Sequence, residues 1–142
     1  MIEVRAWLVD TNVLIDVLQA DPLFGLRSLS ALERLGAEGV LVINPVVYAE
    51  LAAWIHSKER LDTLLPADLF RREALPIEAA FLAGRAFRRY KDQGGEKPRM
   101  LADFLIGAHA AVRGYGLVSR DRGYRRHFQL ELLDPSESRD DT

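Results

Sequence analysis

The chain is expected to fold as an α/β domain, with a central, mostly parallel sheet of four to five strands flanked by helices. Three observations predict this. Short bulky apolar runs end at polar residues, as buried parallel strands do, with Ala6 to Val9 stopping at Asp10 and Val40 to Ile43 at Asn44. Between them lie stretches with apolar residues at helical spacing, opened by cap-like residues such as Thr11, Asn12, Asp21 and Asn44. Strand-like and helix-like segments alternate along the chain with no internal repeat, the pattern of a parallel sheet wrapped by helices.

The elements follow in order. After the first strand, Val13, Leu14, Val17 and Leu18 mark a helix. Asp21-Pro22 reads as an N-cap followed by proline at the first helical position, opening a second helix whose face is marked by Leu23, Leu26, Leu29, Leu32 and Leu35 and which stops near Gly36 to Gly39. Val40 to Ile43 is a second buried strand. Asn44-Pro45 repeats the cap-plus-proline signal and opens a helix to about His56, followed by a short helical piece from Lys58 to Leu65. Pro66 to Leu75 reads as loop with an extended segment. Pro76 to Gln93 is a long amphipathic helix with Phe81, Leu82, Ala86 and Tyr90 inward, and Arg85, Arg88, Arg89 and Lys91 mostly outward. A flexible loop holds Gly94-Gly95, and Pro98 starts a helix that runs to Arg113 and closes at Gly114. Leu117 to Ser119 is a third buried strand, and Leu130 to Leu133 a last one. One domain is expected over residues 1–134, with 135–142 as a flexible acidic tail.

Bulk properties narrow the function. At 142 residues, 49% hydrophobic and 28% charged, the chain is long enough for one sizeable core. With no cysteine there is no disulfide, thiolate zinc site or cysteine nucleophile. No secretory leader and no run of membrane length is evident, so a cytoplasmic protein is expected. The net charge of −2 is unevenly spread. Residues 71–127 carry 13 basic and 6 acidic side chains, while both flanking blocks are acidic. Most of those cations are Arg, which suits phosphate contacts.

Four acids share the expected ligand-binding edge. Asp10 ends the first strand and Asp121 follows the third. Glu50 has Val46 and Val47 before it and Ala53 and Trp54 after it at helical spacing, and Asp103 has Met100, Ile106 and Gly107. Both carboxylates are therefore placed on apolar, inward faces, where a lone charge costs several kcal/mol. Carboxylates converging without a counter-charge raise one another's pKa, so the set needs a cation. Without cysteine or paired histidine the donors are hard oxygens, favouring Mg²⁺ or Mn²⁺ over zinc, and phosphodiester hydrolysis with a metal-activated water. Thr11, Asn12 and Ser119 flank the strand-end acids and are candidates for orienting them or touching phosphate. Arg99, Arg120 and Arg122 lie near the same edge and could hold an anionic backbone. His56, His109 and His127 share no face or metal-like spacing and are read as non-catalytic.

Neighbouring chemistries fit less well. A phosphatase of the haloacid-dehalogenase type needs a second Asp where Asn12 stands, and a phosphoacceptor receiver needs an Asp where Asn44 follows Ile43. There is no P-loop and no GxGxxG.

The segments LVDTNVLID (Leu8 to Asp16), INPVVYAEL (Ile43 to Leu51), MLADFLIGAHA (Met100 to Ala110) and LVSRDRGYRRHF (Leu117 to Phe128) resemble, in order, the PIN-domain ribonucleases, and particularly the VapC-type toxins of bacterial toxin–antitoxin pairs. The resemblance implies a PIN-like fold and a Mg²⁺- or Mn²⁺-dependent endoribonuclease. It assigns Asp10, Glu50, Asp103 and Asp121 as the catalytic, metal-holding quartet. Thr11, Asn12, Arg99, Ser119 and Arg120 stand as substrate-binding candidates beside them. It further implies an RNA substrate, a homodimer, and a small antitoxin protein that covers the groove. A PIN-like scaffold that binds RNA or protein without cutting is the alternative.

Overall fold

The computed structural model describes residues 4–137. Five strands, β1 (Arg5–Val9), β2 (Gly39–Ile43), β3 (Phe70–Arg72), β4 (Gly116–Val118) and β5 (Leu132–Leu133), form one sheet in the order β3-β2-β1-β4-β5, with every neighbouring pair parallel. Six helices flank it: α1 (Thr11–Leu18), α2 (Gly25–Glu38), α3 (Pro45–Ala52), α4 (Lys58–Leu64), α5 (Ile77–Asp92) and α6 (Met100–Arg113). A short 3-10 helix spans Arg122–Arg126. The architecture is the predicted α/β arrangement.

The chain winds outward from β1 through β2 to β3, then returns to the other side of β1 to lay down β4 and β5. The connections therefore diverge between β1 and β4, and a crevice opens outside their carboxyl ends. Trp7, Leu8 and Val9 are buried, as are Leu41 to Ile43 and Gly116 to Val118. Burial on both faces explains why these strands read as unbroken apolar runs. Among the described residues no helix is long and apolar enough to cross a membrane.

Several local expectations are corrected. The second helix begins at Gly25, three residues later than the Asp21-Pro22 signal suggested, because the Asp21 carboxylate accepts from the Leu23 and Phe24 N–H groups and closes a separate turn. Its five leucines do not share a face. A strict interval of three steps back about 60° per residue pair, so such a row winds round the helix. Leu26 is accordingly 83% exposed while Leu32 and Leu35 are buried. Helix α3 ends at Ala52 and not near His56, leaving Trp54 in solvent. On α5 the inward face is Ala79, Ala83 and Ala86, and Phe81 is 73% exposed. The small inward residues let α5 lie close to the aromatic base of α6. The extended segment expected within 66–75 is the edge strand β3. Residues 135–137 are held, with Pro135 buried and the Ser136 carbonyl accepting from Arg27 at 2.8 Å. The rest of the expected tail, 138–142, lies outside the described residues.

Candidate active site

At the divergence of β1 and β4 lies an open cavity of about 460 Å³. Asp10, Thr11, Asn12, Glu50, Arg99, Asp103, Arg120 and Asp121 all line it, together with Asp16 and Lys97. Of the ten candidate residues, Ser119 and Arg122 are absent from the wall. Ser119 lies fully buried beneath it, and Arg122 is paired with Asp134 instead.

Asp10 is the most firmly held. As N-cap of α1, its Oδ1 accepts from the Thr11 N–H at 2.7 Å, and its Oδ2 accepts from the Ser119 hydroxyl at 2.8 Å and from Asn12 Nδ2 at 3.3 Å. Burial pushes its pKa up to about 6; the Ser119 and Thr11 donors offset part of that rise, and the nearby Glu50 carboxylate adds to it. Asn12 Nδ2 also reaches Ser119 Oγ at 3.2 Å, and Asn12 Oδ1 accepts from the Arg120 N–H at 3.2 Å, so α1 and the end of β4 are stitched together.

Glu50 enters from α3. Its Oε1 accepts from the Thr11 hydroxyl at 2.6 Å and its Oε2 from Arg99 at 3.3 Å. The apolar face expected around it does not form, since Ala53 and Trp54 lie exposed beyond the end of α3. The Glu50 side chain is nonetheless only 19% exposed, sheltered by the pocket itself.

Asp103 stands in the first turn of α6 and has no hydrogen bond or ion pair among the described residues. Burial raises its pKa to about 7, with Asp10, Glu50 and Asp121 adding repulsion against a small opposing pull from Arg99. Asp121, at the exposed rim, accepts from the Gly123 N–H at 2.8 Å and so starts the 3-10 helix. That helix packs close because Gly107 lies one turn beyond Asp103: a Cβ there would fall 2.8 Å from the Tyr124 ring. Tyr124 is buried beside Asp10 and Asp103. Among the described residues its hydroxyl makes no hydrogen bond of good geometry, although it lies near enough to Asp10 to interact with it; burial and the neighbouring acids, Asp10 first, hold it far above the ordinary phenol range.

Among the described residues, no three acid, histidine or cysteine side chains stand close enough to hold an ion as they are placed. The donor set nonetheless suits one. Asp103 is uncommitted, two of the carboxylates carry raised pKa values, and Mg²⁺ keeps several waters and needs only one or two direct carboxylates.

Three wall or near-wall residues have roles that the sequence did not single out. Asp16 is buried and binds Arg120 through both arms, at 2.7 and 3.0 Å, while the Arg120 guanidinium lies 4.1 Å over the Phe24 ring. Arg120 is thus committed to structure on one side. Lys97 sits at the rim, on the loop leading to α6. Tyr124 closes the floor. None of the three has a local sequence signal: Asp16 and Arg120 are 104 residues apart, and the places of Lys97 and Tyr124 also depend on tertiary packing.

The histidines lie apart from the cavity. His56 is exposed, and the half-buried His127 ring packs 4.6 Å from that of Phe104. His109 is fully buried, bonded on one side to Asn44 at 3.1 Å and on the other to Glu73 at 2.6 Å.

Solved structures share this architecture. A VapBC2 complex from Rickettsia felis, described as bound to a DNA fragment from its promoter, aligns with TM-score 0.70 at 20% identity, over 90% of this chain and 97% of that one. FitAcB from Neisseria gonorrhoeae aligns with TM-score 0.66 at 22% identity, over 91% and 97%. A toxin-antitoxin complex from Klebsiella pneumoniae aligns with TM-score 0.60 at 21% identity, over 90% and 96%. At these identities the likeness is one of fold. No curated protein matches in sequence. The PIN domain family, however, matches residues 7–127, nearly the whole described chain, and the chain belongs to that family.

Proposed function

We propose that this PIN domain is a Mg²⁺- or Mn²⁺-dependent endoribonuclease, the toxin of a toxin–antitoxin pair. The single observation that carries the reading is the convergence of Asp10, Glu50 and Asp103, with Asp121 at the rim, on one cavity where burial and mutual repulsion lift Asp10 to about 6 and Asp103 to about 7. Such an arrangement is costly to a folded chain unless a cation joins it.

Asp10, Glu50 and Asp103 would hold the ion, and Asp121 would contribute from the rim. When bound, the ion supplies positive charge to the phosphoryl group and lowers the pKa of water. The protein's own residues set the stage for that. Thr11 N–H, Ser119 and Asn12 fix both oxygens of Asp10. The Thr11 hydroxyl and Arg99 fix Glu50. Arg99, whose side chain is 80% exposed, is free to turn from Glu50 toward a phosphate. Thr11 and Asn12 on the wall are placed to meet the substrate, whereas buried Ser119 acts through Asp10. Arg120 is held by Asp16 and offers its field to the cavity more than its hydrogen bonds.

An RNA substrate, a small antitoxin protein covering the groove, a homodimer and a cytoplasmic location belong to the same reading. The toxin–antitoxin complexes among the structural neighbours support the antitoxin. Labelled RNA incubated with the purified chain should be cut with Mg²⁺ and left intact with EDTA, and Asp10→Asn or Asp103→Asn should abolish cutting while the fold survives. Cleavage that persists unchanged in EDTA would overturn the metal mechanism. RNA binding without any cleavage would favour the scaffold alternative.

A further inference from the structure

Most of the cations in the basic block are already committed. Arg71 and Arg113 pair with Glu73, Arg72 with Asp62, Arg88 with Asp92, Arg99 with Glu50, Arg120 with Asp16 and Arg122 with Asp134. Arg125 donates to the Leu132 carbonyl. Those left with neither an acid nor a carbonyl partner among the described residues are Arg85, Arg89 and Lys91 on α5, Lys97 in the following loop and Arg126 in the 3-10 helix. All five are exposed.

Three of them, Lys97, Arg89 and Arg126, lie around the start of α6 beside the cavity. Lys97 lines it, and the Lys97 N–H donates to the Tyr90 hydroxyl at 2.8 Å, tying the loop to α5. Gly95 lies on the Tyr90 ring so closely that a Cβ would meet it at 2.3 Å. The Tyr90 ring stands 5.8 Å from that of Phe104, and Phe104 stands 4.6 Å from His127. Arg89 and Arg126 are the chain neighbours of the two outer rings of this stack, and Phe104 is the chain neighbour of Asp103. Both arginines, and Asp121 from the rim, act on His127, whose pKa is lowered first by burial and then by those arginines. An aromatic base thus carries unpaired positive charge from Lys97, past Asp103 and Asp121, to Arg89 and Arg126.

Unpaired like charges brought together give the folded chain nothing, and the cavity they border is acidic. A polyanion with one phosphate at that cavity must be held by cations outside it. We propose that the strip formed by Lys97, Arg89 and Arg126, extended along α5 by Arg85, is the track for the RNA backbone flanking the scissile phosphate. This rests on the ribonuclease reading of the cavity.

The test uses the full chain carrying Asp103→Asn, which prevents turnover, and a fluorescein-labelled 20-nucleotide single-stranded RNA read by anisotropy across a salt series. Adding Arg89→Glu with Arg126→Glu should weaken binding at least about tenfold and make the log–log salt slope shallower by about 1.4, two single-strand contacts' worth. Arg89→Gln with Arg126→Gln, which adds no new acid, guards against misfolding and should weaken binding by a smaller factor while making the slope shallower by about the same 1.4. Unchanged affinity and slope in both pairs would overturn the track. So would equal weakening toward poly-glutamate, which would assign the surface to an acidic protein. If the parent chain binds no RNA at all, the ribonuclease reading fails first.

Discussion

Helix α6 carries acid chemistry near both ends, and the two ends are built in opposite ways. At its start Asp103 faces Asp10, Glu50 and Asp121 with no hydrogen-bond or ion-pair partner among the described residues, and its pKa rises to about 7. Two turns on, His109 meets Glu73, which reaches it from just beyond β3. Burial pushes Glu73 up as well, but the Tyr115 hydroxyl at 2.7 Å, His109 at 2.6 Å and the Arg71 charge outweigh it, and its pKa falls below the ordinary value. Asn44 Oδ1 already accepts from the Val47 N–H, so its amide donates to His109 Nδ1, leaving Nε2–H to donate to Glu73. Every strong polar atom at that end is satisfied. The lesson is that burial alone does not mark a working acid: a structural carboxylate is compensated, and the one left uncompensated awaits something the chain does not supply.

The largest expected break in this contrast is functional. Asp103→Asn should cost at least about 100-fold in RNA cleavage, more than loss of a residue that only holds one of the acids in place. It should also leave the metal-free protein as stable or more so, read by a melting temperature a few degrees higher at pH 8. A clear drop in melting temperature would mean that Asp103 is structural. Ser119→Ala, which removes a donor to Asp10 and touches no solvent, should cost about 10- to 100-fold in activity. Activity equal to wild type would remove Ser119 from the positioning role. Loss of Asp121, at the rim, should reduce cleavage without abolishing it.

Stability should follow the same division. Glu73→Ala strands the Nε2–H of buried His109 and should cost about 1–3 kcal/mol in denaturant unfolding. A neutral result would show that the network is ornamental. The pH response is subtler. Asp10 and Asp103 have folded pKa values raised above those of the unfolded chain, so their contribution is fully present below the unfolded carboxylate value and is lost as pH rises through about 6 and 7. In EDTA the melting temperature should therefore fall between pH 5 and pH 8, and Asp103→Asn should flatten that fall. A rise over the same interval would contradict it.

How much of this was legible in the sequence depends on how local the signal is. Asp10 could be placed because a buried parallel strand has few ways to end, and its N-cap role is written in the next two residues. Asp103 could be placed because its helix is apolar on the side it faces. Glu50 reached the right cavity for a different reason than its neighbours suggested: α3 stops at Ala52, so the pocket and not an apolar stripe shelters it. The α2 leucines misled because a row at intervals of three looks amphipathic over two turns and not over four. Phe81 misled because α5 turns alanines inward, where close packing against α6 leaves no room for a ring. Glu73 and His109, 36 residues apart, and Asp16 and Arg120, 104 apart, are paired only by the fold.

The most direct measurement is calorimetric titration of the metal-free chain with Mn²⁺ near pH 6.5, in two buffers of different ionisation enthalpy. Binding should release protons as the raised carboxyls of Asp10 and Asp103 give way to the cation, and Asp103→Asn should abolish or strongly weaken it. No Mn²⁺ uptake by the wild-type chain, or uptake identical in the variant and without proton release, would contradict the gathering of these acids around a dication.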